Sequence, residues 1–281
     1  IDAGLVGFLI IFIMGVATRA IVGFLALKPT LRWLTWIALA LLNVGTAWYV
    51  IARYRAESDE TAAIGLLLQA AGFVAFVIAL RIFEPPARKN TYIEGTYTRY
   101  EWFIRGAFAW LLVAAGLIVL DAIGMLSDDR ILSAPMSAPI THAFTLGFVT
   151  MIIFGVGIRM LTLFEGTEAP MHWLMDVVLV SLNTSVALRV VYGFGSLPGA
   201  DQLQGLSGGL GLLAFVGFAV VLRRSFGTKQ RASYARRAAA AGMQRFAQVR
   251  VAGPGSRPGL SMSDTGPQSQ NPDSESERDQ E

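Results

Sequence analysis

The 281-residue chain is 54% hydrophobic, 11% aromatic and 15% charged, with a formal net charge of +3. A soluble domain normally carries about 25% charge, so the soluble globular classes are excluded. No cysteine is present, which excludes disulfides, thiolate metal sites, iron–sulfur clusters and covalent haem attachment through Cys-x-x-Cys-His; the two histidines, His142 and His172, also exclude a His-rich metal cage built from this chain alone.

The chain opens on Ile1-Asp2-Ala3, already inside an apolar run that no basic n-region or small-residue cleavage site precedes. That run is therefore read as a span rather than a signal peptide, with further sequence expected upstream. Seven apolar blocks follow in order: 3–27, 33–52, 61–83, 103–126, 140–164, 173–192 and 205–222. Charge, proline or glycine bounds each of them, as at Lys28-Pro29, Arg53 to Glu60, Glu84-Pro85-Pro86 and Ser127 to Arg130. Blocks near 20 residues match the length of helix that crosses the hydrocarbon core of a bilayer. In lipid the backbone must satisfy its own polar groups, and the blocks show no period-two alternation, so the expectation is helices rather than barrel strands.

Basic residues set the expected orientation. Arg88, Lys89 and Arg99 lie between the third and fourth blocks, with Arg81 and Arg105 at the margins; Arg223, Arg224, Lys229, Arg231, Arg236 and Arg237 follow the seventh. The loop 193–204 has no basic residue. The positive-inside rule places the C-terminus in the cytoplasm and residue 1 on the far side of the inner (cytoplasmic) membrane. Residues 223–250 read either as a basic amphipathic helix on anionic lipid headgroups or as a stop-transfer flank. Residues 253–281, rich in Pro, Ser, Gln and acid, read as disordered.

An internal repeat runs through the sequence. Gly7-Phe8, Gly15-Val16, Arg19, Trp33-Leu34 and Leu42-Asn43 recur 140 residues later as Gly147-Phe148, Gly155-Val156, Arg159, Trp173-Leu174 and Leu182-Asn183. Residues 1–54 and 141–194 share 15 of 54 positions without a gap. The fold class expected is an all-α polytopic transmembrane bundle of seven helices in tandem four-helix repeats. Residues 1–83 are the first repeat, with its leading helix ahead of Ile1. Residues 84–102 form a cytoplasmic loop, 103–222 the second repeat, and 223–281 a basic, then disordered, cytoplasmic tail.

Few residues can carry chemistry. His142, at the outer end of the fifth block, can ligate haem iron or copper through one ring nitrogen, or bond a loop carbonyl at the interface. Asp2 stands at its place in the first repeat. Gly147 and Gly155 share a helix face that admits either close helix packing or a flat porphyrin. His172 lies about one membrane thickness from His142 along the helix and reads as interfacial. Arg19 and Arg159 recur at one repeat position, and either anchor their helices or bind an anionic headgroup or propionate. Asn43, Asn183 and Gln69 are expected to hydrogen-bond between helices, and Asp176 to pair at the interface. Met136, Met151 and Met160 are copper donors in principle but usual packing residues. No nucleotide loop, nucleophile triad, zinc motif or nucleic-acid signature is present, and no catalytic set is identifiable.

Two stretches resemble the NnrS family of membrane proteins. One runs His142-Ala143-Phe144-Thr145-Leu146-Gly147 through Thr150 to Gly155, Arg159 and Gly166; the other is Met14 to Phe24, with Gly23 where the family usually has proline. The resemblance spans about residues 1–222. It implies a twelve-helix membrane protein containing haem and copper, tied to the nitric oxide response and denitrification, with His142 as metal ligand and Gly147, Gly155, Arg159 and Arg19 around the cofactor. Phe164-Glu165-Gly166-Thr167-Glu168 stands where the family has a basic ending, a departure that bears on copper more than on haem. The alternative expectation is a non-catalytic helical subunit of a respiratory complex, with His142 and the arginines structural.

Overall fold

A backbone in hydrocarbon has no water to bond, so its donors and acceptors must be met within helices. A computed structural model of the chain describes residues 4–55, 57–87, 99–127, 136–164, 171–193 and 200–225, and these meet the requirement with seven helices, each long and apolar enough to span a membrane. They are α1 (Val6–Phe24), α2 (Arg32–Tyr54), α3 (Asp59–Leu80), α4 (Tyr100–Leu126), α5 (Ser137–Leu161), α6 (His172–Gly193) and α7 (Ala200–Ser225). The protein is therefore an all-helical, multi-pass membrane protein. The basic tail expected over 226–250 and the disordered end lie outside the described residues.

Several helices overrun their apolar blocks, whereas α1 ends at Phe24 and α3 at Leu80, short of theirs. α4 begins at Tyr100 rather than at 103, and α7 reaches from Ala200 to Ser225. Hydropathy marks the hydrocarbon core, whereas intrahelical hydrogen bonding continues through the headgroup layer. α3 has a capped start and a left-handed close. Ser58 accepts from the Thr61 amide ahead of Asp59 and Glu60 at the start of α3, and Arg81 closes the same helix in the left-handed conformation (φ 56°).

Two stretches are π-helical, Leu5–Ile10 in α1 and Ala143–Thr150 in α5. Ordinary α-helix follows them at Ile11–Phe24 and Met151–Phe164, and α2 and α6 then start at Arg32 and His172. The π-helical stretches start 138 residues apart, and the two pairs of α-helical starts that follow are each 140 apart. In α5 the Thr150 hydroxyl donates to the Thr145 carbonyl five residues back (2.9 Å), the spacing of the widened turn.

α3 and α4 form the centre of the bundle. α3 is apolar on every side and the most buried of the seven. Its Gly65 and Gly72 let α2 come close: a Cβ on either would lie 2.7 Å from Tyr49 N or Leu42 Cγ. Two sets of ring contacts join α3 and α4 to α5: Phe73 of α3 with Phe144, and Phe76 of α3 through Phe108 of α4 to Phe148. Phe154 of α5 links Phe103 of α4 to Phe218 of α7, their ring centroids 6.4 and 3.9 Å from its own. Salt links tie the helix ends. At one end lie Lys28–Glu84, Arg81–Glu84 and Arg99–Asp176, and at the other Arg53–Asp59, with the Arg53 guanidinium also donating to Met125 Sδ.

Candidate functional site: the His142–Arg189 pair

His142 ends the first α-helical turns of α5, just before the backbone widens into the π-helix. Its Nδ1 lies 2.7 Å from the Ala138 carbonyl oxygen, and its Nε2 lies 2.8 Å from Nη1 of Arg189 on α6. A carbonyl can only accept and a guanidinium can only donate. The ring is therefore the neutral tautomer, with Nδ1–H donating to Ala138 and the Nε2 lone pair accepting from Arg189. Both nitrogens are engaged.

Arg189 is half-buried, its Nε is buried with no hydrogen-bond partner, and a Cβ on Gly208 of α7 would lie 3.8 Å from its Nη2. No carboxylate pairs with it among the described residues. One turn away, α6 and α7 exchange two buried bonds, Ser185 Oγ to Ser207 O (2.7 Å) and Ser207 Oγ to Ser185 O (3.0 Å). A cation thus sits where three helices meet, next to an imidazole. The sequence reading omitted Arg189. Its signal was present: an isolated arginine in an apolar helix, at the end away from the basic loops.

The other residues singled out from the sequence are not gathered around this pair. Gly147 and Gly155 face α4, where an added Cβ would lie 2.7 Å from Trp110 Cγ and 2.8 Å from Ile104 Cγ1. Of the two uses open to that glycine face, close helix packing is the one observed. Arg159, 17 residues beyond His142, is about 25 Å away along the helix. Its guanidinium lies over the Tyr100 ring, 5.2 Å from the centroid, and the Tyr100 hydroxyl donates to Phe24 O. Arg19, its repeat counterpart, is exposed.

The remaining polar residues divide. Asn183 accepts from the Trp110 indole across helices (2.9 Å), whereas Asn43 is exposed and its amide donates only within its own helix, to Leu39 O. Gln69 is buried with Nε2 unpartnered, beside a cavity of about 70 Å³ that Tyr49, Asp121 and Thr141 also line. Asp176 pairs with Arg99, and His172 is exposed at the start of α6. Met151 packs against Gly106 of α4.

Haem can be tested against this geometry. The ligating atom would be His142 Nε2, which Arg189 occupies, and the glycine face is filled by Trp110, Phe103 and Ile104. Two larger hollows, of about 340 and 580 Å³, are apolar and do not include His142 in their walls. As arranged, these residues do not form a haem pocket. Nor is there a cluster of three or more His, Asp or Glu side chains able to hold a metal ion among the described residues. Compared with known family models, curated proteins and solved structures, the chain matches none.

Proposed function

We propose that the chain is a non-catalytic helical subunit of a membrane assembly, in which the His142–Arg189 bond locks α5 to α6. The observation that carries this reading is the saturation of the imidazole, with Nδ1–H on Ala138 O and Nε2 on Arg189. A buried polar group left without a partner is destabilising; here Nε2 gives Arg189 of α6 an acceptor, while Nδ1–H is met within α5 by Ala138 O. In this proposal the membrane is the inner one and the end bearing Lys28, Arg32, Arg81 and Arg99 faces the cytoplasm, where positive residues are retained. Arg223 and Arg224 then meet anionic headgroups, and the assembly is respiratory.

A second reading keeps an NnrS-like haem protein, with copper as a further cofactor, acting in nitric oxide tolerance or electron transfer. One feature favours it. Metal-ligating histidines commonly donate their other ring N–H to a carbonyl, as Nδ1 of His142 does to Ala138. That reading requires Arg189 to release Nε2.

The absorption spectrum of the protein purified from haem-replete cells separates the two. The subunit reading predicts that His142→Ala changes no Soret band and lowers thermal stability, as does Arg189→Ala. A Soret band that is lost or shifted in His142→Ala, and left intact in His172→Ala, would establish the haem reading instead.

A further inference from the structure

We propose that the outer face of α1 and α2 is the docking surface for one further membrane-spanning helix, an apolar helix with the chemistry of α4 that comes from outside these 281 residues. The inference does not depend on the role assigned to His142. It comes from setting α1–α2 beside α5–α6, whose sequences share glycines, an arginine and an asparagine at positions 140 residues apart.

On α5–α6 that face is covered by α4. Phe148 is 0% exposed, in edge contact with Phe108 of α4. Gly155 lies against Ile104 and Phe103, Arg159 under Tyr100, and Asn183 under the Trp110 indole. On α1–α2 the same positions are bare. Phe8 is 71% exposed, Gly15 has nothing within 4 Å of an added Cβ, and Arg19 and Asn43 are exposed.

Lipid alone can cover Phe8. It cannot supply what the polar residues lack. Asn43 and Asn183 each donate to the carbonyl four residues back at 2.8 Å, but only Asn183 Oδ1 receives an indole N–H. In hydrocarbon an amide oxygen and a glycine patch together favour a helix that approaches closely and donates a hydrogen bond. The repeat names that donor: an aromatic N–H or O–H opposite Asn43, a branched aliphatic opposite Gly15 and a ring over Arg19. α4 itself presents these as Trp110, Ile104 and Tyr100. It is engaged on α5 and α6, so a separate helix is required.

The absence of native cysteine makes the test clean. The 281-residue chain carrying Gly15→Cys is placed in phosphatidylcholine–phosphatidylglycerol bilayers with a peptide of sequence Tyr100–Leu126 bearing Ile104→Cys, then mildly oxidised. Gly15 has open space for the new side chain, so the variant keeps the fold. The expected result is a chain–peptide disulfide at position 15 that is at least several-fold more abundant than at Ile78→Cys, an exposed site on α3. Adding Trp110→Phe to the peptide, or Asn43→Ala to the chain, should each reduce it by about threefold, the worth of one interhelical hydrogen bond. Equal crosslinking at positions 15 and 78, or yields indifferent to both substitutions, would overturn the proposal. So would chain–chain disulfides exceeding chain–peptide ones, since the occupant would then be a second copy.

Discussion

Helices α1 and α5 carry the same spaced glycines, the same late arginine and the same turns of π-helix, yet α5 is enclosed by α4 and α7 while α1 lies at the edge of the bundle. Shared residues therefore set a shared backbone, and the neighbour decides what each residue does. Gly155 serves as a contact and Gly15 does not; Arg159 lies over a ring and Arg19 is exposed. Equivalent substitutions in the two helices should then have unequal effects.

The largest contrast is expected at the phenylalanines. Phe148→Ala should destabilise by about 3 kcal/mol, the order found for emptying a closed aromatic site, while Phe8→Ala should leave stability nearly unchanged. Equilibrium unfolding in mixed micelles measures both. Comparable losses would show that α1 is as enclosed as α5.

The glycines should differ in sign. Gly155→Ala drives a Cβ into Ile104 and Phe103, at about 1–2 kcal/mol for an overpacked contact. Gly15→Ala meets open space and gains helix propensity, worth up to about 1 kcal/mol. Melting temperatures of the two variants, moved in opposite directions, are the expected readout. Destabilisation by both would mean that Gly15 also faces a packed surface.

A smaller effect belongs to the asparagines. Trp110→Phe removes the indole donor from Asn183 and should cost about 0.6 kcal/mol, in line with interhelical bonds measured in lipid. Asn43→Ala in the 281-residue chain should be neutral. A double-mutant cycle with Asn183→Ala isolates the bond; a coupling energy of zero would remove it from the account.

The smallest expected effect is at the end of the bundle that carries the loops. Arg81, and then Lys28, hold the Glu84 carboxyl below its ordinary value near 4.5. A lowered carboxyl stabilises the fold above its unfolded value, and that contribution is lost as pH falls through the folded value. Stability should therefore decline slightly below about pH 4.5, and Glu84→Gln should flatten that portion of the profile. An unchanged profile in Glu84→Gln would assign the acid sensitivity to other groups.

The spans were legible because twenty apolar residues in a row have few alternatives. Their ends were less so, since Tyr100, Arg32 and Ala200 lie in helix beyond the apolar blocks. The π-turns were not legible at all: nothing local in Leu5–Ile10 distinguishes a five-residue hydrogen-bond step from a four-residue one. Of the candidate site, His142 could be singled out from its place at a helix end, but the carbonyl it bonds is that of Ala138 in its own helix rather than one in a loop. Its second partner could not be anticipated, because Arg189 is 47 residues away and pairing across α5 and α6 depends on tertiary packing. For the same reason one repeat position gave Arg19 and Arg159 different surroundings.

The central claim, that His142 is a neutral imidazole shared between Ala138 and Arg189, is tested most directly by ¹⁵N NMR. The protein is labelled only at its two histidines, with His172→Gln giving the assignment. The account predicts a neutral ring, protonated at Nδ1 and hydrogen-bonded at Nε2, whose Nε2 signal moves in Arg189→Ala. A ring protonated at Nε2, or one broadened or shifted by a bound metal and indifferent to Arg189→Ala, would contradict it.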